Sequence, residues 1–166
     1  MSRLQLAIEQ IAFARNYTLS LLQETKESDW FRQPPGGITH IAWQVGHLAV
    51  GEYWLALVRI RGQRADDEEL IPMEFQAPFE RHTVPVADPS IYPNQTAIRA
   101  VFDRVHEQTL RELTALDERE VDEPILKPHR LVKTKLWSLL WCAQHEAVHA
   151  GQIGLLRRQL GYPPVW

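Results

Sequence analysis

Apolar residues recur at helical spacing in four stretches of this sequence. Within each stretch, intervals of three and four residues place the apolar side chains on one face of a helix. The stretches are approximately residues 2–27, 39–62, 98–117 and 134–160. Thr39 is expected to cap the second helix, and Gly161, followed by two prolines, to end the fourth. The sequence has no strand-like alternation, so we predict an all-α fold, a four-helix bundle that residues 1–166 form as a single domain.

A long proline-rich connection separates the second and third predicted helices. Residues 63–93 contain five prolines and no sustained periodicity, apart from an acidic stretch at residues 66–69 that predicts a short helix. Antiparallel neighbours in a bundle usually need connections of only about two to eight residues. We therefore predict a crossover connection that lets helices two and three run parallel, and a lid over the bundle is the alternative.

Composition and charge narrow the classes of function. The net charge is −3 and the hydrophobic content is 45%, an ordinary globular balance without the basic surplus of nucleic-acid-binding proteins. Cys142 is the only cysteine, so neither an intramolecular disulfide nor a cysteine-based zinc cluster can form. The first residues lack the apolar run of a signal peptide, and no run is long enough to span a membrane. We expect a cytoplasmic protein without nucleic-acid or membrane partners, with a homodimer as a hypothesis for its assembly.

The fourth helix contains two histidines at metal-ligand spacing. His145 and His149 lie one turn apart on the same helix face, although such pairs also occur by chance on solvated faces. With Glu146 they spell the zincin pattern HExxH, but the seventeen residues after His149 contain no His, Asp or Glu for the third ligand. A ferritin-like di-metal site needs two ExxH motifs, and the sequence has one. The third ligand must therefore come from upstream.

His47 is the best upstream candidate. It lies in the middle of the apolar second helix, where a buried polar group without a partner costs about 1 to 3 kcal/mol. A hydrogen bond in the core would also satisfy this side chain. Taken together, His47, His145 and His149 favour one shared metal ion.

Two segments resemble a known family. The stretch ITHIAWQVGHLAVGEYW in the first half of the chain and LLWCAQHEAVHAGQIGLLRRQLG in the last helix are similar to the DinB/YfiT-like superfamily of metal-dependent enzymes. The resemblance spans essentially the whole chain. It implies a four-helix bundle with a crossover connection and a triad of histidines, which corresponds here to His47, His145 and His149. It also implies metal-dependent transfer reactions that use low-molecular-weight thiols.

Three imidazoles suit one divalent ion such as zinc, nickel, iron or copper and leave a position for water or substrate. Such an ion can activate a thiol or a water molecule. A thiol-dependent transferase that acts on a small molecule is our first hypothesis, and a metal-dependent hydrolase is the second. The alternative of another class is a non-catalytic bundle stabilised by a metal with four protein ligands.

Several neighbouring residues are weaker candidates for this site. Glu146 could act as a base, although a structural or surface carboxylate is at least as good an interpretation. Trp43 and Trp141 each precede a ligand by four residues, a spacing that could place their rings in a pocket wall or simply in the core. Cys142 is expected to be a small buried hydrophobe. Solvated roles are expected for the four other histidines, which are His40, His82, His106 and His129.

Overall fold

A computed structural model describes residues 1–165 of the chain. Its long helices are α1 (Arg3–Gln23), α2, α3 (Gln95–Thr114) and α4 (Lys135–Gln159). Helix α2 begins as an α-helix over Ile41–Glu52, continues as a π-helix over Tyr53–Val58 and ends in the α-helical turn Arg59–Arg61. The described residues form no strand, only an isolated bridge between Pro124 and Thr134. The predicted all-α class is confirmed.

Local capping chemistry explains where α2 begins and where α4 begins and ends. Thr134 accepts a hydrogen bond from the Trp137 N–H at the start of α4, and Gly161 follows its end with φ +93°. The predicted cap of α2 was wrong by one residue. His40 caps this helix, because its Nδ1 accepts a hydrogen bond from the Trp43 N–H at 3.1 Å. The Thr39 hydroxyl instead accepts from the Gln44 side chain at 3.0 Å.

Side-chain pairs give the relative directions of the helices. Glu52 of α2 meets His106 of α3, and Arg61 further along α2 meets Glu112 further along α3, so these helices run in the same direction. The connection between α2 and α3 must therefore run back from the end of α2 to the end of the bundle where α3 begins.

Helix α4 runs opposite to α2. Gln44, near the start of α2, bonds to His149 in the second half of α4. Leu55 accepts a hydrogen bond through its carbonyl oxygen from the Ser138 hydroxyl, near the start of α4. These pairs bring the middle of α2 against the middle of α4, where all three predicted ligands are found.

The connection between α2 and α3 is part of the folded core. It forms short helices at Asp67–Leu70 and Met73–Gln76 and 3-10 turns at Ala77–Phe79 and Pro89–Ile91, which confirms the short helix predicted at the acidic stretch. The side chains of Ile71, Phe75 and Phe79 are buried against the long helices. This part of the connection is therefore packed in place and is not a free lid.

Within residues 1–165, no helix combines the length and the hydropathy that crossing a bilayer requires.

Candidate metal centre

The structure brings together the three histidines that the sequence singles out. His47 projects from α2, and His145 and His149 project from successive turns of α4. The ring centroids are 5.2 Å apart for His47 and His145, 4.8 Å for His47 and His149, and 4.5 Å for the α4 pair. One ligand atom of each ring lies within 4.8 Å of the other two, so a single cation can contact all three side chains.

Hydrogen bonds orient two of these rings. The Nδ1–H of His47 donates to the Phe79 carbonyl oxygen at 2.7 Å, and the Nδ1–H of His149 donates to Oε1 of Gln44 at 2.5 Å. Both bonds leave Nε2 free as a lone-pair donor. Metal-binding histidines usually have such a partner on the second ring nitrogen, because it fixes the tautomer and the ring orientation. Trp43 also holds the His47 ring, since the two rings stack at 4.7 Å.

Burial keeps the three imidazoles neutral. It lowers the pKa of His145 to about 4 and that of His149 to about 3, with smaller contributions from neighbouring histidines. The pKa of His47 is also lowered, mainly by burial. A neutral imidazole is the form that binds a metal. The donor atoms, their spacing and their protonation therefore fit a divalent transition metal ion.

A glycine in α2 makes room for His145. A Cβ atom added at Gly51 would lie 2.7 Å from Cε1 of His145, a distance that ordinary packing does not allow, and 3.0 Å from Nδ1 of the same ring. Only a residue without a side chain lets the α4 imidazole approach the α2 backbone this closely. This role could not be predicted from the sequence, since an isolated glycine in a helix has many explanations.

The histidine cluster forms part of the wall of a cavity of about 770 Å³, a volume typical of small-molecule sites. Trp43 and Trp141, which the sequence proposes for a pocket wall, both line it. The other lining residues are Val50, Gly51, Trp54, Leu55, Arg59, Glu80, Arg81, His82, His129, Arg130, Leu131 and Gln152.

The π-helical segment keeps α2 facing this cavity. The α2 residues at the cavity include His47, Gly51, Leu55 and Arg59, which are four residues apart. In a regular α-helix each such step turns about 40° beyond a full turn, so the row would rotate away. The wider turn of the π-helix at Tyr53–Val58 offsets this rotation.

Glu146 does not line the cavity. Its oxygen Oε1 accepts a hydrogen bond from Nε of Arg15 at 2.8 Å, and Oε2 accepts one from Nη2 at 3.3 Å. Arg15 also binds Glu52 at 2.6 Å, and all three side chains are almost fully buried. The hypothesis that Glu146 acts as a base loses its support, because the ion pair turns its carboxylate towards α1. We name this buried group, Arg15 with Glu52 and Glu146, the Arg15 tether.

The expectation of solvated roles was wrong for two of the remaining histidines. His40 is fully buried at the cap of α2, and His106 pairs through Nδ1 with Glu52 at 2.9 Å. His82 and His129 line the cavity outside the metal-binding cluster. Cys142 is buried as expected, and burial raises the pKa of its thiol.

Comparisons with known proteins agree with this architecture. A family model described as the DinB superfamily matches residues 10–153, and no curated protein matches the sequence. Among solved structures, a conserved protein from Enterococcus faecalis superimposes with a TM-score of 0.73 at 15% sequence identity. The alignment covers 96% of this chain and 97% of that one. At this identity the likeness shows the fold alone.

Proposed function

This chain belongs to the DinB superfamily, and from this premise we propose that it is a metal-dependent enzyme acting on a small molecule. In the proposal, His47, His145 and His149 hold one divalent ion. The reaction we favour is transfer of a low-molecular-weight thiol to an electrophilic substrate. We also infer that the four long helices form one bundle, with residues 62–94 as the crossover connection, because α2 and α3 run in the same direction.

One observation carries the proposal. The cluster has three histidine ligands at the wall of a cavity, and no further His, Cys, Asp or Glu from residues 1–165 joins it. Structural zinc sites are usually closed by four protein ligands, whereas catalytic sites keep a position open. The open side of this cluster therefore supports a catalytic centre over a purely stabilising one.

The residues around the cluster would hold the ligands rigidly and shield the reacting atoms. Phe79 and Gln44 fix the rings of His47 and His149 through hydrogen bonds. Trp43 and Trp141 add apolar surface that limits the access of water. When bound, a divalent ion supplies Lewis acidity, which lowers the pKa of a thiol or a water molecule. Thiol transfer is ranked above hydrolysis because the family resemblance favours it.

The first experiment tests the metal site. Purified protein is loaded with Zn²⁺, Ni²⁺ or Fe²⁺, dialysed and analysed for bound metal. We expect one ion per chain in the wild type and a sharp loss of binding in His47→Ala, His145→Ala and His149→Ala. His82→Ala is the matched control, because this histidine lines the same cavity but lies outside the cluster. Equal metal content in all five proteins would exclude the site.

The second experiment tests the thiol reaction. Cobalt-loaded protein is titrated with a small thiol, and the visible spectrum is followed. A sulfur-to-cobalt charge-transfer band that is absent in His149→Ala supports thiol activation. A bound metal whose spectrum no thiol changes would favour hydrolysis instead, and esterase and amidase activities would then be measured.

A further inference from the structure

The cavity that contains the histidine cluster also contains a group of arginines. Arg59 comes from the end of α2, Arg81 follows the Ala77–Phe79 turn, and Arg130 precedes α4. We name these three residues the arginine group. Of the acidic side chains in the described part of the chain, only Glu80 lines the same cavity. The cavity therefore has a net positive charge even while its histidines are neutral.

Arg59 has an unsatisfied donor within the protein. Its Nε–H is buried and has no hydrogen-bond partner among the described residues, and no carboxylate pairs with its guanidinium within 4.0 Å. The guanidinium carbon lies 5.9 Å from the centroid of the Trp54 ring, another lining residue. Burial lowers the pKa of Arg59, and no nearby acid opposes this effect. Arg59 is only partly buried, so its guanidinium lines the cavity as a cation without an anionic partner, which an anionic ligand can supply.

The arginine group and His129 line the same cavity as the histidine cluster. The pKa of His129 is lowered by its burial and then by the positive charges of Arg59, Arg81 and Arg130. His47, His145 and His149 line the same cavity as the arginine group. The positive region is thus adjacent to the histidine cluster, and one small molecule in the cavity can contact both.

We propose that the arginine group binds an anionic substituent, a carboxylate or a phosphate, of the small molecule that reacts at the histidine cluster. Arg59 is the central contact, because a guanidinium presents parallel N–H donors to two oxygens of such a group. Arg81 and Arg130 are exposed at the cavity and add long-range attraction. This inference rests on the proposed function, in which the substrate binds in this cavity beside the histidine cluster. It narrows the substrates to anionic compounds.

The first test uses metal-free protein, so that anions cannot bind to an ion. Succinate and inorganic phosphate are titrated separately at constant ionic strength, and tryptophan fluorescence is recorded, since Trp43, Trp54 and Trp141 line the cavity. Wild type is compared with Arg59→Met, which removes the charge but retains a long apolar side chain. Arg158→Met is the control, because it changes the net charge equally on an exposed residue outside this cavity.

We expect saturable binding of at least one anion to wild type and to Arg158→Met, weakened about tenfold or more in Arg59→Met. The anion that binds more tightly identifies the substituent as carboxylate or phosphate. Arg81→Gln with Arg130→Gln, a pair of exposed substitutions that should not disturb folding, is expected to weaken binding about threefold or more. Equal binding to Arg59→Met and Arg158→Met, or no saturable binding to wild type, would overturn the proposal.

The second test separates this inference from the proposed thiol reaction. Cobalt-loaded protein is titrated with 3-mercaptopropionate and with 3-mercaptopropanol, which differ only in the carboxylate. The charged thiol should bind about tenfold more tightly to wild type, and Arg59→Met should abolish the preference. Equal affinities for the two thiols would contradict the anion site and leave thiol activation intact. Failure of both thiols to change the spectrum would contradict thiol activation, and the metal-free titration would still decide on the anion site.

Discussion

At the scale of single residues, Gly51 gives the sharpest test of the geometry of the metal centre. In Gly51→Ala the new Cβ would be 2.7 Å from Cε1 of His145, so the imidazole must move away from α2 and from the other two ligands. We expect metal affinity to fall about tenfold or more, as it does when the support of a ligand is removed. Competition with a chromophoric chelator measures this change.

Gly151→Ala is the matched control for this substitution. Gly151 lies in α4, two residues beyond His149, and a Cβ atom there meets nothing within 4 Å. We expect unchanged metal affinity and a gain in stability of about 0.5 to 1 kcal/mol, because alanine is the better helix former. If both glycine variants bind metal like the wild type, His145 does not need its present position.

Asp67 predicts a dependence of stability on pH. Burial raises the pKa of this carboxyl, but hydrogen bonds from the Arg61 side chain and the Arg64 N–H outweigh burial and leave the pKa below its usual value. A lowered pKa in the folded state means that the carboxylate stabilises the fold above about pH 4, its unfolded pKa, and that this contribution is lost as the pH falls further. The free energy of unfolding should therefore decline on acidification below about pH 4.

Asp67→Asn should reduce this acid-dependent loss. At neutral pH we expect this variant to be less stable by about 1 to 3 kcal/mol, because Arg61 loses one of its two carboxylate partners. Asp66→Asn is the control at a neighbouring exposed position. Urea unfolding at a series of pH values measures both effects, and parallel acid profiles for wild type and Asp67→Asn would assign the pH dependence to other groups.

At the scale of helices, the Arg15 tether connects α1 to α2 and α4 within the core. The Arg15 guanidinium binds Glu52 and Glu146 and donates to the Phe102 carbonyl oxygen of α3 at 2.8 Å. Arg15→Met would leave two buried carboxylates without their cation, so we expect a loss of about 3 to 5 kcal/mol. Chemical denaturation measures it. Arg99→Met, which breaks a half-exposed pair with Asp103, should cost less than about 1 kcal/mol.

A compensated variant separates charge from packing in the tether. Arg15→Met combined with Glu52→Gln and Glu146→Gln removes all three charges, so most of the lost stability should return. This follows because an uncompensated buried charge costs more than a neutral group of similar shape. A triple variant no more stable than Arg15→Met alone would show that the packing of the guanidinium on Phe102, 3.4 Å from the ring centroid, carries the effect.

The long helices and the histidine pair of α4 could be predicted from the sequence, because apolar residues and ligands on one helix face recur at intervals of three or four residues. Apolar spacing marks the buried face of each helix, and the four-residue interval of His145 and His149 fixes their common face whatever the tertiary structure. The π-helix in α2 had no such signal. Within it, the Leu55 carbonyl oxygen accepts a hydrogen bond from Ser138 of α4, a contact between residues that are remote in sequence. The same holds for Arg15, whose partners are remote in sequence.

At the scale of the whole molecule, the three arginines at the cavity could not be predicted either. Arg59, Arg81 and Arg130 belong to three separate segments, and only the tertiary fold brings them to the same cavity. Exposed arginines in loops and at helix ends are normally solvated. Tertiary structure, and not local sequence, therefore determines which of the arginines face the histidine cluster.

The helical core should remain folded when the metal is removed. Its apolar residues form two extensive clusters that together involve all four long helices. The Arg15 tether also links α1 to α2 and α4, and it needs no metal ion to do so. This differs from small zinc domains, which unfold without their metal.

A bound ion should add stability by mass action, about 2.7 kcal/mol at a free concentration 100 times its Kd. Thermal unfolding with added metal or with chelator measures this gain. His47→Ala should lose it while keeping a cooperative transition, and a chelated wild type that loses its helical circular dichroism at room temperature would show instead that the ion is needed for folding.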